Sequence, residues 1–313
     1  MKQGQGTFGA EALLLLTAAI WGFAFVAQRA GMDSIGPFAY SAVRYAIGGL
    51  ALIPLLLYRR RSARRDPEAP KKTALRRFGY PLLAGGVLFL GNSFQQLGLV
   101  TTTAGNAAFI TSLYVVLVPI LGLFLGRRVS ARGWAAALLA IVGLYIISVG
   151  GRFSVSPGDF LELAGSFFWA CHIIIIGRLA GKTEAVELSV GQFLVCAALS
   201  LCASFLLDPP FPGGGWLPAL RGAFIPIMYG GLLSSALAFT LQIVAQRTAR
   251  PSHASIIMAL EGLFGAIGGI LILGEPLTWK LAAGGCLMLS GAILSQLEPP
   301  APKPGVAAAE KKS

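Results

Sequence analysis

Two ionisable side chains of this 313-residue sequence stand deep inside long apolar runs: Glu261 and Arg44. A charge placed there costs about 2.5–3.5 kcal/mol on membrane-insertion scales, so its presence needs a reason. Glu261 lies near the middle of the run 251–273. Its carboxylate could bind a proton whose movement is coupled to that of another molecule, or pair with a cationic group on that molecule. The competing reading is a buried carboxylate bonded to a neighbouring helix. Arg44 stands about two turns into the run 36–58 and reads as structural. A long cationic side chain can reach the interface or bond helix-end carbonyls, and contact with a carboxylate on a bound molecule is the lesser alternative.

Amides and aromatics supply a second set. Asn92, Gln95 and Gln96 are spaced by three and four residues, which places them on one helix face, and Gln242 and Gln246 repeat that spacing. Such faces fit the wall of a water-filled cavity; interhelical hydrogen bonds worth about 0.6–2 kcal/mol each are the alternative. Trp21 and Trp169 fall at mid-depth of their runs, away from the interfaces where Trp collects. They fit the flanks of an amphiphilic substrate or a gate, and equally simple packing. Tyr114 and Tyr229 offer a ring and a hydroxyl at similar depth, and His172 lies one turn from Trp169. Candidate substrate-binding residues are therefore Trp21, Asn92, Gln95, Gln96, Tyr114, Trp169, His172, Tyr229, Gln242 and Glu261, with Glu261 also the proton-coupling candidate. Gly265 and Gly269 are assigned to close helix packing. Asp159 and Glu162 share a helix face at one end of their run, too little alone for chemistry.

Catalytic signatures are absent. The sequence has no G-x-x-x-x-G-K-[S/T] phosphate loop, no H-E-x-x-H, no C-x-x-C and no nucleophile elbow. Cys171, Cys196, Cys202 and Cys286 all fall in apolar runs and read as small packing residues. No catalytic residue, metal or cofactor is expected, and any transport must run on an existing gradient, by exchange or by facilitated diffusion.

The elements that position these residues follow from composition. The chain is 55% hydrophobic and 12% charged, with a mean hydropathy of +0.73, whereas soluble domains carry about 25% charged residues. Apolar stretches of about 20 residues, enough for a helix to cross about 30 Å of hydrocarbon, alternate with short polar breaks. They do not alternate every second residue, which argues against a barrel. The expected spans are 10–30, 36–58, 79–101, 104–125, 133–150, 157–179, 187–207, 221–246, 251–273 and 278–297. This predicts an all-α integral membrane protein of ten transmembrane helices, with a polar cytoplasmic tail over 298–313.

The net charge of +12 would suit a nucleic-acid binder, but its distribution points elsewhere. Sorted by loop, 20 of the 25 Lys and Arg residues fall on one side, including the cluster from Arg59 to Arg77. Only Arg29, Arg152, Arg221 and Lys280 fall on the other. The positive-inside rule then puts both termini in the cytoplasm and requires an even number of spans. Nucleic acid is not an expected partner; anionic lipid is.

The halves also match one another. Trp21 and Trp169, Gly126 and Gly274, and Gly143 and Gly291 are each 148 apart, and Gln95 and Gln242 are 147 apart. Five spans per half is an odd number, so the second copy enters the membrane from the opposite side. The repeats, 10–150 and 157–297, are expected to have inverted topology, an architecture that supports alternating access around a midplane site.

Ala19-Ile-Trp-Gly-Phe-Ala-Phe-Val26, Ala42-Val-Arg-Tyr45, Asn106-Ala-Ala-Phe-Ile-Thr-Ser-Leu-Tyr-Val-Val-Leu-Val-Pro119 and Leu273-Gly-Glu-Pro-Leu277 carry a resemblance. They resemble the EamA-type branch of the drug/metabolite transporter superfamily over about 10–297. The resemblance implies two five-helix repeats, a central cavity, and export or exchange of small metabolites, which in this superfamily range from amino acids and amphiphilic drugs to nucleotide sugars and sugar phosphates. The chain departs from the pattern at Leu260-Glu261-Gly262, where the family commonly has Leu-Glu-Pro, and at Gly126-Arg127, where it has Gly-Glu. The first departure is expected to alter local helix flexibility. The expected function is thus a secondary-active or facilitative carrier of an amino-acid-like or amphiphilic metabolite in a bacterial-type inner membrane, working as a monomer or weak homodimer. A lipid flippase or a membrane-embedded transferase is the alternative.

Overall fold

The computed structural model describes residues 2–63, 78–102, 104–127, 129–148, 156–209, 215–273 and 279–296. The basic segment 64–77, the break 151–155 and the expected tail lie outside them. Every regular element among the described residues is helical. In chain order they are α1 (Lys2–Met32), α2 (Pro37–Ala63), α3 (Tyr80–Thr101), α4 (Ala104–Thr111), α5 (Tyr114–Phe124), α6 (Ala131–Ser148), α7 (Pro157–Leu179) and α8 (Ala185–Leu207). Then follow the short α9 (Trp216–Gly222) and α10 (Phe224–Met228), a π-helical stretch (Tyr229–Phe239), α11 (Thr240–Ala245), α12 (Pro251–Met258), α13 (Glu261–Leu273) and α14 (Trp279–Gln296).

Among the described residues, eight stretches are long and apolar enough to cross a membrane: Gly9–Met32, Pro37–Arg61, Tyr80–Thr101, Ala107–Phe124, Pro157–Leu179, Ala185–Leu207, Phe224–Ala245 and Pro251–Ile272. Two shorter apolar helices, Ala131–Ile146 and Ala282–Ser295, occupy the expected fifth and tenth positions. The chain is a multi-pass, all-α membrane protein. Its side chains are arranged for lipid: Leu206 and Ile225 point outward, while Gln95, Gln242 and Glu162 are buried. Hydrocarbon cannot hydrogen-bond, so polar groups gain by turning inward.

Local chemistry explains the helix ends. Pro157 opens α7 behind a capping box, in which Ser156 Oγ accepts from the Asp159 backbone N–H and the Asp159 carboxylate accepts from that of Ser156. Gly126, at φ 73°, ends α5. Its N–H donates to Leu123 O, and that of Arg127 to Gly122 O, each at 2.9 Å. This is the paired termination that a left-handed glycine permits.

Two spans are interrupted at corresponding places. Between α4 and α5 the Leu113 N–H bonds Ile110 O and that of Val115 bonds Ser112 O, so bonding tightens to i→i+3. Between α12 and α13 the Leu260 N–H bonds Ile257 O and that of Gly262 bonds Ala259 O. The second interruption falls at the Leu260-Glu261-Gly262 departure. Sequence periodicity predicted continuous helices through both places and through the π-helical stretch.

α6 packs along α14, α2 against α8 and the π-helical stretch, α3 against α7 and α8, and α1 against α13 and the π-helical stretch. The α6–α14 seam is a backbone approach: a Cβ on Gly143 would stand 2.5 Å from Gly284 O, and one on Gly291 2.7 Å from Ala136 O. At one end of the bundle, Arg59 and Arg60 pair with Glu184 and Glu187 at 2.7 and 3.0 Å, joining the end of α2 to the start of α8. Arg127 and Arg178 also meet; partial burial, then the charge of Arg178, pulls Arg127 below the usual arginine range. At the other end, Asp208 accepts from the backbone N–H groups of Phe38 and Ala39 at 3.2 and 2.7 Å, capping α2.

Replacing Gly143 by Leu should overpack the α6–α14 seam and lower stability by about 1–3 kcal/mol. The same change at Gly86, where a Cβ meets nothing within 4 Å, should be neutral. Melting curves of the two purified variants test this; equal melting temperatures would contradict the seam.

Candidate binding cavity

The spans meet around a cavity. α1 contributes Trp21, Ala24, Phe25 and Gln28; α2 contributes Arg44 and α3 Gln95. The interrupted fourth span supplies Thr111 and Tyr114, and α7 supplies Trp169, His172 and Ile173. Ser234, Phe239, Gln242 and Glu261 complete the wall.

One wall is aromatic. Phe239 lies between the two tryptophans, 4.7 Å from Trp21 and 6.0 Å from Trp169 between ring centroids. His172 meets the Trp169 and Phe239 rings edge-on. Hydrogen bonds fix both indoles. Trp21 Nε1 donates to Ser234 O at 3.1 Å, and Trp169 Nε1 donates to Gln95 Oε1 at 2.8 Å. Gln95 in turn donates to Gln28 Oε1 at 3.0 Å, and Gln28 to Ala24 O at 3.2 Å. Each donor is therefore satisfied by a neighbour, which locks the rings' orientation. α1 is tied to the π-helical stretch in the same way: Thr17 donates to Ala238 O at 3.3 Å, and Tyr229 donates back to Ile20 O at 2.8 Å. Stretches of π-helix recur at functional sites, and here one presents carbonyls to two α1 side chains.

The charged groups stand apart. Arg44 is 2% exposed and does not reach the interface. Its Nη2 donates to Asn92 Oδ1 and, at 3.0 Å, to the Tyr45 hydroxyl, while its Nε has no partner. The guanidinium carbon sits 4.5 Å from the Tyr45 ring centroid. Asn92 is held by donating to Ser41 Oγ at 2.7 Å. Among the described residues, no acidic side chain lies within ion-pair distance of Arg44. Glu261, 3% exposed, opens α13 at the interruption of the ninth span. Ser112 Oγ donates to its Oε1 at 3.4 Å, and the Tyr114 hydroxyl faces it without meeting hydrogen-bond geometry. Gln242 brings an amide with neither its nitrogen nor its oxygen partnered, a buried donor and acceptor open to a ligand.

Of the candidate residues, Trp21, Gln95, Tyr114, Trp169, His172, Gln242 and Glu261 line this cavity. Asn92 stands behind Arg44, Gln96 turns to Met32 Sδ at 3.3 Å, and Tyr229 bonds α1. Arg44, assigned above to structure, faces the cavity. Gln28, Thr111, Ser234 and Phe239 were not among the candidates. Gln28 carried a signal, since it stands seven residues beyond Trp21 and hence on the same helix face. Phe239 carried none among 19 phenylalanines. Gly265 packs where assigned: a Cβ on Gly22 of α1 would come within 2.7 Å of Gly265 N. The surroundings of Gly269 lie outside the described residues.

The model of the EamA-like transporter family matches residues 9–149 and 156–297. The chain belongs to the EamA-like transporter family. It is a membrane transporter, similar to an uncharacterized transporter of Archaeoglobus fulgidus, 30% identical over 95% of this chain and 90% of that one. It is also 26% identical to the uncharacterized inner membrane transporter YedA of Escherichia coli K12, over 83% and 81% of the two chains. A chloroplastic WAT1-related protein of Arabidopsis thaliana is 26% identical over 92% of this chain and 70% of its own. A crystal structure with 19% identity superposes at a TM-score of 0.73 over 97% of this chain and 99% of that one, a likeness of fold.

A cavity-facing amide should be reachable from water. With the native cysteines replaced, Gln242→Cys in this transporter is expected to react with a water-soluble thiol reagent. Gln246→Cys, at a side chain that instead bonds Ile173 O at 3.0 Å, should resist it. Labelling at both positions or at neither would contradict the assigned wall.

Proposed function

We propose that the chain is a carrier of ten transmembrane helices in two inverted five-helix repeats, exporting or exchanging an amino-acid-like metabolite by alternating access, with Glu261 as its proton-coupling group. One observation carries the reading. Arg44 and Glu261 are buried, of opposite formal charge, unpaired with each other, and line one cavity. Burying single charges is costly unless a partner arrives. A molecule with an anionic group for Arg44 and an ammonium for Glu261, flanked by the tryptophans, supplies both partners. A proton on Glu261 is the substitute when that molecule has gone.

Helix pairing supports the repeats. With the ten apolar stretches numbered in order, the first packs on the eighth and ninth as the sixth packs on the third and fourth. The second packs on the eighth as the seventh packs on the third; the second also pairs with the seventh, and the fifth with the tenth. Adding five to each number exchanges these pairings among themselves, as a two-fold relation requires. The two segments matched by the family model fall on the two halves. Tyr114 and Glu261, 147 apart, each begin the helix that follows an interruption. Interrupted helices at a repeat interface are where secondary transporters bind substrate and coupling ions.

The orientation is part of the proposal: both termini cytoplasmic, in a bacterial-type inner membrane, as the sorting of Lys and Arg supports. A reporter fused to either terminus and read as periplasmic would overturn it.

In proteoliposomes screened with amino acids, Glu261→Gln is expected to abolish dependence on the proton gradient. Arg44→Gln should weaken binding by about ten- to a hundredfold, the equivalent of about 1.5–3 kcal/mol for a lost charged hydrogen bond. Unchanged proton dependence in Glu261→Gln would remove the coupling role, and unchanged affinity in Arg44→Gln the anion contact.

A further inference from the structure

A second carboxylate is buried outside the cavity wall. Glu162 lies on α7, one turn beyond Asp159, and is 0% exposed. Thr111 Oγ donates to its Oε2 at 2.9 Å, and its Oε1 has no partner. That free oxygen occupies the notch left by Gly98 of α3, where a Cβ would stand 2.7 Å from it. The seam around it is closed: a Cβ on Gly158 would stand 2.4 Å from Gly98 O, so α3 and α7 touch backbone to backbone. A packing role would be served better by a small apolar side chain, because a buried carboxylate with one oxygen unpartnered is costly.

Among the described residues, the groups facing Glu162 offer no counter-charge. On its own helix the ionisable neighbour is Asp159, whose two oxygens accept from Thr102 Oγ at 2.5 Å and from the Ser156 N–H at 2.6 Å. α3 presents Gly98, α4 presents Thr111, and α5 carries Tyr114, which faces Glu261. His253 of α12 belongs to the opposite end of the bundle, since Pro251 beside it meets Gly177 near the far end of α7. Among the described residues, no cationic side chain lies within ion-pair distance of Glu162. A carboxyl in these surroundings is compatible with burial when it holds a proton.

The neighbouring hydroxyls supply a connection. Thr111 and Ser112 are consecutive residues at the interruption of the fourth span, and each donates to a different buried carboxylate: Thr111 to Glu162 of the sixth span, Ser112 to Glu261 of the ninth. Any re-bending of the fourth span at this point alters both contacts together.

We propose that Glu162 is a second proton-binding site of this transporter, linked to Glu261 through the Thr111–Ser112 interruption. A proton from water adds to the Glu162 carboxylate to give the neutral acid. The same proton returns to water when the fourth span re-bends and the carboxyl is exposed. The proposal extends the reading of Glu261 as a proton carrier, and its test does not depend on transport.

The test is infrared spectroscopy of the full-length protein in phospholipid nanodiscs, following the C=O stretch of protonated carboxyls as pH is varied. The wild type is expected to show a titrating band that is lost in Glu162→Gln and kept in both Glu261→Gln and Asp159→Asn. Thr111→Val should shift the titration of the Glu162 band and, through the shared interruption, that of the Glu261 band. If Glu162→Gln removes no titrating band, the site is overturned; if Thr111→Val leaves the Glu261 titration unmoved, the link is. Should Glu162→Gln fail to fold, Glu261→Gln serves instead. A residual titrating band moved by adding Thr111→Val upholds the site, and no residual band overturns it. A band lost in Glu162→Gln while none is lost in Glu261→Gln would sink the Glu261 reading and the link to it, and leave the Glu162 site standing.

Discussion

Hydrocarbon offers neither hydrogen bonds nor counter-charges, and the interior of this protein is organised by that lack. Its outer faces carry leucine, isoleucine and phenylalanine, while its amides, hydroxyls and buried charges face one another across helix seams. A polar group without a partner at such depth costs more than it does under water. The chain from Ala24 through Gln28 and Gln95 to Trp169 shows how far the pairing goes, since each member satisfies the next. The exceptions are informative for the same reason. Among them are Arg44 Nε, both polar atoms of Gln242 and Glu162 Oε1, and the first two residues border the cavity.

The positions of the spans were legible because crossing a bilayer imposes length and composition together. The sixth run, expected over 157–179, is α7 with those bounds, since Ser156, Pro157 and Asp159 mark its start in the sequence itself. The interruption at Ser112–Leu113 was not visible, and for that at Ala259–Leu260 the Leu260-Glu261-Gly262 departure pointed only to altered helix flexibility. Neither contains a proline, and apolar periodicity continues through both. The π-helical stretch was hidden likewise, because Tyr229–Phe239 is as apolar as an ordinary helix and is held by contacts from α1, distant in sequence.

The cavity was partly legible. Polar and aromatic residues at mid-depth are rare enough in apolar runs to be noticed, and seven of the ten candidates converge. What spacing could not decide was which way a side chain turns. Gln95 and Gln96 are adjacent in sequence, yet one reaches Trp169 and Gln28 while the other points to Met32. Arg44 was read as a structural residue that reaches the interface or bonds helix-end carbonyls. Asn92 and Tyr45 hold it inside instead, and that partnership needs α2 and α3 side by side before it can be seen.

The central claim is that two opposed halves rock about this cavity and expose Arg44 and Glu261 to each side in turn. Distances between spin labels test it most directly. One pair would join Phe124 and Arg247, at the end of the bundle where Arg127 and Arg178 meet; the other would join Val100 and Leu271, toward the opposite end. When Glu261 is changed to Gln, the account predicts reciprocal shifts, one pair lengthening as the other shortens. Both distances unchanged, or both moving in the same direction, would contradict it.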